Sequence, residues 1–145
     1  MKKIYLAAPV FSVFERNNNL VLAELLQSKG EYEVFLPQNV VPPKTPDGFD
    51  MHYIFEQCKL KIEKTDIVVA IVDGPDVDSG VAWELGYAYA ENIPSICIRT
   101  DQRKAENKGV NIMIEYGSLK TVYFTKYHQT IEQLANSILD ELEKL

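Results

Sequence analysis

The chain has 145 residues, 46% of them hydrophobic and 25% charged, with a net charge of −6. That size and balance describe one domain, 1–145, with a core of its own, and they exclude nucleic acid as a partner, since no basic patch is visible. No apolar run approaches the roughly 20 residues that a bilayer span needs, and Cys58 and Cys97 form no CxxC pair, so they read as reduced thiols of a cytoplasmic protein.

The opening Met-Lys-Lys-Ile-Tyr-Leu-Ala-Ala-Pro mimics a signal peptide, but its apolar stretch is only strand-length and no small-residue cleavage site follows. It reads as a first strand over about Lys3 to Ala8. Ser12 and Glu15 make a capping box, and the helix they open runs to Gly30, a natural C′ stop. A short strand follows near Glu33–Leu36. The segment Pro37–Asp50 holds four prolines and no regular period, so it reads as a long loop, a class that is usually functional or disordered. A helix then covers about Met51 to Lys64. Asp66–Val72 is a β-branched run buried on both faces, hence a central strand.

An aspartate-bearing loop leads into a helix that extends to about Asn92, with Ser79 as its expected N-cap. Pro94 precedes a strand at Ser95–Arg99, Asp101–Lys108 is a polar loop, and Val110–Tyr116 is a short helix closed by Gly117. Thr121–Phe124 is the last strand. The final helix carries Ile131, Leu134, Ala135, Ile138, Leu139 and Leu142, an i, i+3, i+4, i+7 stripe. Strands alternating with helices predict an α/β fold: a flavodoxin-like, doubly wound, five-stranded parallel sheet of order 2-1-3-4-5 flanked by helices. In such sheets the ligand crevice lies where the strand order reverses. That places Ala7–Ser12 and Asp73–Gly80 on opposite lips of one cleft.

Glu84 is the first candidate. Its helical neighbours three and four positions away are Gly80, Val81, Tyr87 and Ala88, none of them basic. Its side chain leans toward the helix N-terminus, past the bare Gly80 and into the aspartate loop. Attraction to the helix dipole is the bland explanation, but Glu84 lies beyond the first turn, where that effect fades. Asp73, Asp76 and Asp78 are either turn formers or ligands. Their spacing fails the calcium-loop pattern, and magnesium on two of them is the remaining metal alternative; the reading taken is no metal. His52 and His128 belong to no ligand spacing. Asp78 and Glu84 together suit the division of labour between a proton donor and a nucleophile. Tyr5 is either a core residue or a hydroxyl that orients a carboxylate, and Asn111 is either a helix cap or part of a site. A phosphate loop with its lysine, a dinucleotide fingerprint, a Gly-x-Ser-x-Gly elbow and a Cys/His pair are all absent.

Together Ile4-Tyr5-Leu6-Ala7-Ala8-Pro9, Asp66-Ile67-Val68-Val69-Ala70, Asp78-Ser79-Gly80-Val81-Ala82-Trp83-Glu84-Leu85-Gly86 and Asn111-Ile112-Met113 resemble the nucleoside 2-deoxyribosyltransferase family. The resemblance covers nearly the whole chain. It implies an enzyme that exchanges the base of a 2′-deoxyribonucleoside without a cofactor. By position it makes Glu84 the nucleophile at C1′, Tyr5 the hydroxyl that holds it, and Asp78 the group that contacts and protonates the leaving base. Asn111 and Met113 match residues near the sugar's 5′-hydroxyl that come from a neighbouring subunit, which implies a homo-oligomer with shared sites. Ala8, Pro9, Phe11 and Gly80 fall on the cleft lips as substrate-binding candidates. The proline-rich loop, with aromatics Phe11, Phe14, Phe49 and Tyr53, is placed to cover the base. One departure stands out: where many members carry an aspartate on the helix before the third strand, this chain has Cys58. A hydrolase of 2′-deoxynucleoside 5′-monophosphates and a nucleoside-binding module without turnover are the competing readings.

Overall fold

The computed structural model describes residues 1–29, 31–103 and 109–145. Five strands, β1 (Lys2–Ala7), β2 (Tyr32–Phe35), β5 (Ile67–Ile71), β6 (Ser95–Arg99) and β7 (Lys120–Tyr123), form one sheet of order β2-β1-β5-β6-β7. Every neighbouring pair is parallel. Counted among these five alone the order is 2-1-3-4-5, so the sheet is the flavodoxin-like, doubly wound one expected. The order reverses between β1 and β5, which pair directly, with Ile4 beside Ile67 and Tyr5 beside Val68.

Side-chain alternation divides the core into two layers. Ile4, Leu6, Ile67, Val69, Ile96 and Ile98 face one way, against α1 (Val13–Lys29) and α5 (Ile131–Leu142). Tyr5, Ala7, Val68, Ala70 and Cys97 face the other, against α2 (Met51–Glu63) and α3 (Ser79–Ala90). The helix starts follow their local chemistry. Ser12 and Glu15 close the expected capping box, Glu15 N donating to Ser12 Oγ at 3.1 Å and Ser12 N to Glu15 Oε2 at 2.6 Å. Thr130 and Gln133 do the same for α5. The Gly30 stop and most of the Asp101–Lys108 loop lie outside the described residues.

Two expectations are corrected. Pro37–Asp50 is not an irregular loop: Pro37–Asn39 is a 3₁₀ turn, and β3 (Lys44–Thr45) pairs antiparallel with β4 (Gly48–Phe49). Two-residue strands are too short for any period to register in sequence. Gly48, at φ +132°, supplies the backbone conformation that a side chain resists, which lets Pro46-Asp47 turn the chain. The N-cap of α3 is Asp78 and not Ser79, because the longer carboxylate reaches the Val81 N–H at 3.1 Å. Among the described residues no helix is long and apolar enough to cross a membrane.

Candidate active site

β1 alternates so that Tyr5 points to the face covered by α2 and α3, and α3 leans Glu84 back toward the carboxyl end of the sheet. The two meet there: the Tyr5 hydroxyl donates to Glu84 Oε1 at 2.5 Å, across 79 positions of sequence. Tyr5 has no solvent exposure, and its ring rests against Phe35 with centroids 5.3 Å apart. Burial, then the charge of Glu84, pushes its phenol far above the ordinary value, so the hydroxyl stays a donor at neutral pH. Glu84 is half-buried. Burial pushes its carboxyl up to about 7, the Tyr5 hydrogen bond opposing and the charge of Asp78 adding to the rise. Among the described residues no cation takes part in setting it.

Cys58, half-buried on α2, packs on the same cluster as Tyr5. Burial pushes its thiol up, the Tyr5 hydroxyl pulls it down, and the Glu84 charge raises it further. The thiol is therefore a neutral group at neutral pH. The chain thus places no third carboxylate beside Glu84 and Asp78 at this position.

The loop before α3 is held by its own aspartates. Asp73 accepts from Thr100 N at 2.6 Å, from Asp101 N at 2.9 Å and from the Thr100 hydroxyl, so it ties the end of β5 to the end of β6. Gly74, at φ +100°, turns so tightly that a Cβ would lie 2.9 Å from the Asp76 carbonyl oxygen. A Cβ on Gly80 would stand 3.0 Å from Asp78 Oδ2, so the capping carboxylate occupies the space that a side chain would need. Among the described residues no group of three or more His, Cys, Asp or Glu stands close enough together to hold a metal ion.

Of the lip residues, Ala8 is buried, Pro9 is half-buried and Phe11 is 75% exposed. Their turn is fixed from α1: Arg16 Nη1 donates to the Val10 and Phe11 carbonyls at 2.9 and 3.1 Å, and Asn19 Nδ2 to that of Pro9 at 3.0 Å. Phe14, Phe49 and Tyr53 are exposed as well. Asn111 caps α4 (Ile112–Gly117), its Oδ1 accepting from Met113 N at 2.9 Å. Met113 is 78% exposed and lines a groove of about 450 Å³ with Ala82, Leu85, Gly86 and Tyr89 on the flank of α3. Glu84 does not line that groove. The structure therefore brings Tyr5, Glu84, Cys58, Asp78 and Gly80 together within one chain, and leaves Met113 on the other flank of the helix.

Sequence reasoning passed over Arg99. It ends a strand whose other four residues are buried, and it is itself 1% exposed. The only signal was a charge at the last position of an otherwise apolar run.

Comparison with known proteins adds an independent line. The family profile described as Nucleoside 2-deoxyribosyltransferase matches residues 4–120. Among solved structures, the chain is similar to a conserved protein from Enterococcus faecalis V583, at 26% identity and a TM-score of 0.75 over 97% of this chain and 99% of that one. It is similar to the 2-deoxyribosyltransferase of Bacillus psychrosaccharolyticus at 25% identity and a TM-score of 0.69, covering 92% and 90%. It shares its fold with the CMP N-glycosidase of Clostridium botulinum, at 17% identity and a TM-score of 0.64 over 97% and 99%.

Two outcomes follow from the geometry. Glu84 holds its proton more tightly folded than unfolded, so its contribution to stability is full below the ordinary value of 4.5 and is lost as pH rises through about 7. Glu84→Gln keeps an acceptor for Tyr5 without the charge. Its melting temperature is expected to exceed that of the parent by about 2–4 °C or more above neutral pH, and to differ little in acid; thermal scans at both pH values that show no difference overturn this. Gly80→Ala is expected to push Asp78 off the Val81 N–H and to lower stability by about 0.5–2 kcal/mol, the usual worth of a cap, as measured by urea unfolding.

Proposed function

The chain belongs to the nucleoside 2-deoxyribosyltransferase family, and from that premise we propose that it moves 2-deoxyribose between the nucleobases of 2′-deoxyribonucleosides through a covalent intermediate on Glu84. The observation that carries this reading is the hydrogen bond from Tyr5 to a half-buried carboxylate that no cation neutralises. A carboxylate with a cationic partner would be a structural ion pair. One held by a neutral donor and raised by burial to about 7 ionises near neutral pH and then has no cation competing with an electrophile for it.

In the first displacement the free Glu84 oxygen bonds to C1′ as the bond from C1′ to the base nitrogen breaks. The electron pair goes to the base, which takes a proton from Asp78. In the second, a nitrogen of the incoming base bonds to C1′, the bond to Glu84 breaks, and Asp78 takes the proton back. Two inversions retain the β configuration, and the oxocarbenium-like state between them is stabilised by the carboxylate at the sugar face. Asp78 Oδ2 accepts from Val81 N at 3.1 Å, which holds the carboxyl group at the start of α3. No cofactor enters these steps.

Unphosphorylated substrates fit the lip of the cleft better than 5′-monophosphates. Arg16, the nearest cation in sequence to the β1–α1 turn, is engaged by two carbonyls of that turn. Phe11, Phe14, Phe49 and Tyr53 give aromatic faces for a base to stack on. The α3–α4 flank supports a homo-oligomer. Tyr89, Ile112, Met113 and Tyr116 are 69%, 52%, 78% and 81% exposed around its groove. A second copy seated there buries that surface and delivers Asn111 and Met113 to its neighbour's cleft.

The test is chromatography of deoxyinosine with and without adenine. Deoxyadenosine is expected to form with little free deoxyribose, and Glu84→Ala is expected to lower the rate by roughly 10³-fold or more. Free deoxyribose at the same rate without adenine would assign hydrolysis instead. Because the nucleophile acts ionised, kcat/KM is expected to rise with pH along a limb centred at about 7. A profile that is flat from about pH 5 to 8 contradicts the role of Glu84.

A further inference from the structure

A buried guanidinium is expensive unless its donors are matched. Those of Arg99 are matched almost entirely by main-chain carbonyls. Nη1 donates to Val72 O at 2.8 Å and to Gly74 O at 2.7 Å, Nε to Asp101 O at 3.2 Å, and Nη2 to Arg103 O at 2.8 Å. Its acidic neighbour, Asp101, stands at 3.9 Å, and that carboxylate is itself held by Gly74 N at 3.1 Å and by Arg103 at 2.6 Å. The chain returns over the guanidinium at Gly109. There φ is +114°, and a Cβ would lie 3.6 Å from Nε and 3.8 Å from Nη2.

The acceptors fall into two segments. Val72 and Gly74 leave β5 toward Asp78 and α3. Asp101 and Arg103 follow β6. The Asp73 carboxylate joins the same two segments from the β5 side through Thr100 and Asp101. Gly74 stands four residues before Asp78 in the same loop, and its φ of +100° leaves no room for a Cβ against the Asp76 carbonyl.

We propose that Arg99 is a positioning residue for the transfer reaction. Its rigid fork locks the loop that carries Asp78 and opens α3 against Asp101 and Arg103 at the end of β6, and so sets where Asp78 and Glu84 stand on the substrate. This rests on the transferase reading. The fold alone does not ask for a cation here, since an apolar residue closes a buried strand at lower desolvation cost. A planar fork that reaches four carbonyls in two segments is a function that lysine cannot copy.

The experiment compares Arg99→Lys, Arg99→Met and, as a control for lost stability, Leu139→Ala in the α1–α5 layer. Wild type and variants are assayed for base exchange well below their melting temperatures. Arg99→Lys is expected to lose about 10²-fold in kcat with KM little changed, since misplacement by about 1 Å has that effect, while Leu139→Ala melts earlier but keeps its kcat. Arg99→Lys retaining wild-type kcat, or Leu139→Ala losing as much, overturns the proposal. Arg99→Met adds the fully unmatched case, and where it fails to fold Arg99→Lys decides. If wild type exchanges no base, the transferase reading fails separately. Amide hydrogen exchange then judges the lock: faster exchange in Arg99→Lys from Gly74 to Asp78 supports it, and unchanged exchange overturns it.

Discussion

A carboxylate drawn half out of water holds its proton more tightly unless a donor opposes the change, and among the described residues the donor to Glu84 is one phenol. The bond from Tyr5 to Glu84 needs β1 beside β5, the parity of β1 that turns Tyr5 toward α2 and α3, and the start of α3 in the loop that β5 releases. Each requirement is met by ordinary sheet and helix chemistry. Their intersection makes a site at the point where strand order reverses.

The two faces of the sheet divide the work. The α1–α5 face packs mainly aliphatic side chains and holds no residue of the Glu84 cluster, and a groove of about 480 Å³ opens at its edge between Leu22, Ile71 and Leu134. The α2–α3 face carries a tyrosine, two cysteines and small residues beside its aliphatics. On that face Cys58 substitutes a neutral thiol for a charge. Fewer like charges surround Glu84 than a carboxylate at this position would bring, so burial governs its titration ahead of Asp78.

Most of this was legible in sequence because it depends on period and on neighbours. Alternation in Ile4-Tyr5-Leu6, the β-branched run at 67–72 and the stripe of the last helix specify strands, layers and order. Glu84 was visible through the basic partners it lacked. What escaped depends on distance across the fold. The β3–β4 hairpin is shorter than any period, and Asp78 and Ser79 are equally good caps by residue type, so only the fold shows that Asp78 is the cap. Arg99 looks like an exposed strand end until the loops after β5 and β6 are seen to close over it. Met113 stands away from Glu84, on the flank of α3 that α4 packs against.

The 79 positions between Tyr5 and Glu84 also govern when the site comes into being. A parallel pairing such as β1 with β5 closes a long stretch of chain before any contact rewards it, so it belongs to the slow, late part of folding. As the chain leaves the ribosome, β1 must wait for α1, β2 and α2 to pass before its central partner exists, its apolar side chains meanwhile covered by β2 and the first helix alone. Glu84 emerges later still and meets water until that strand is in place. A fragment ending short of α3 therefore holds Tyr5 without the carboxylate it meets in the folded chain.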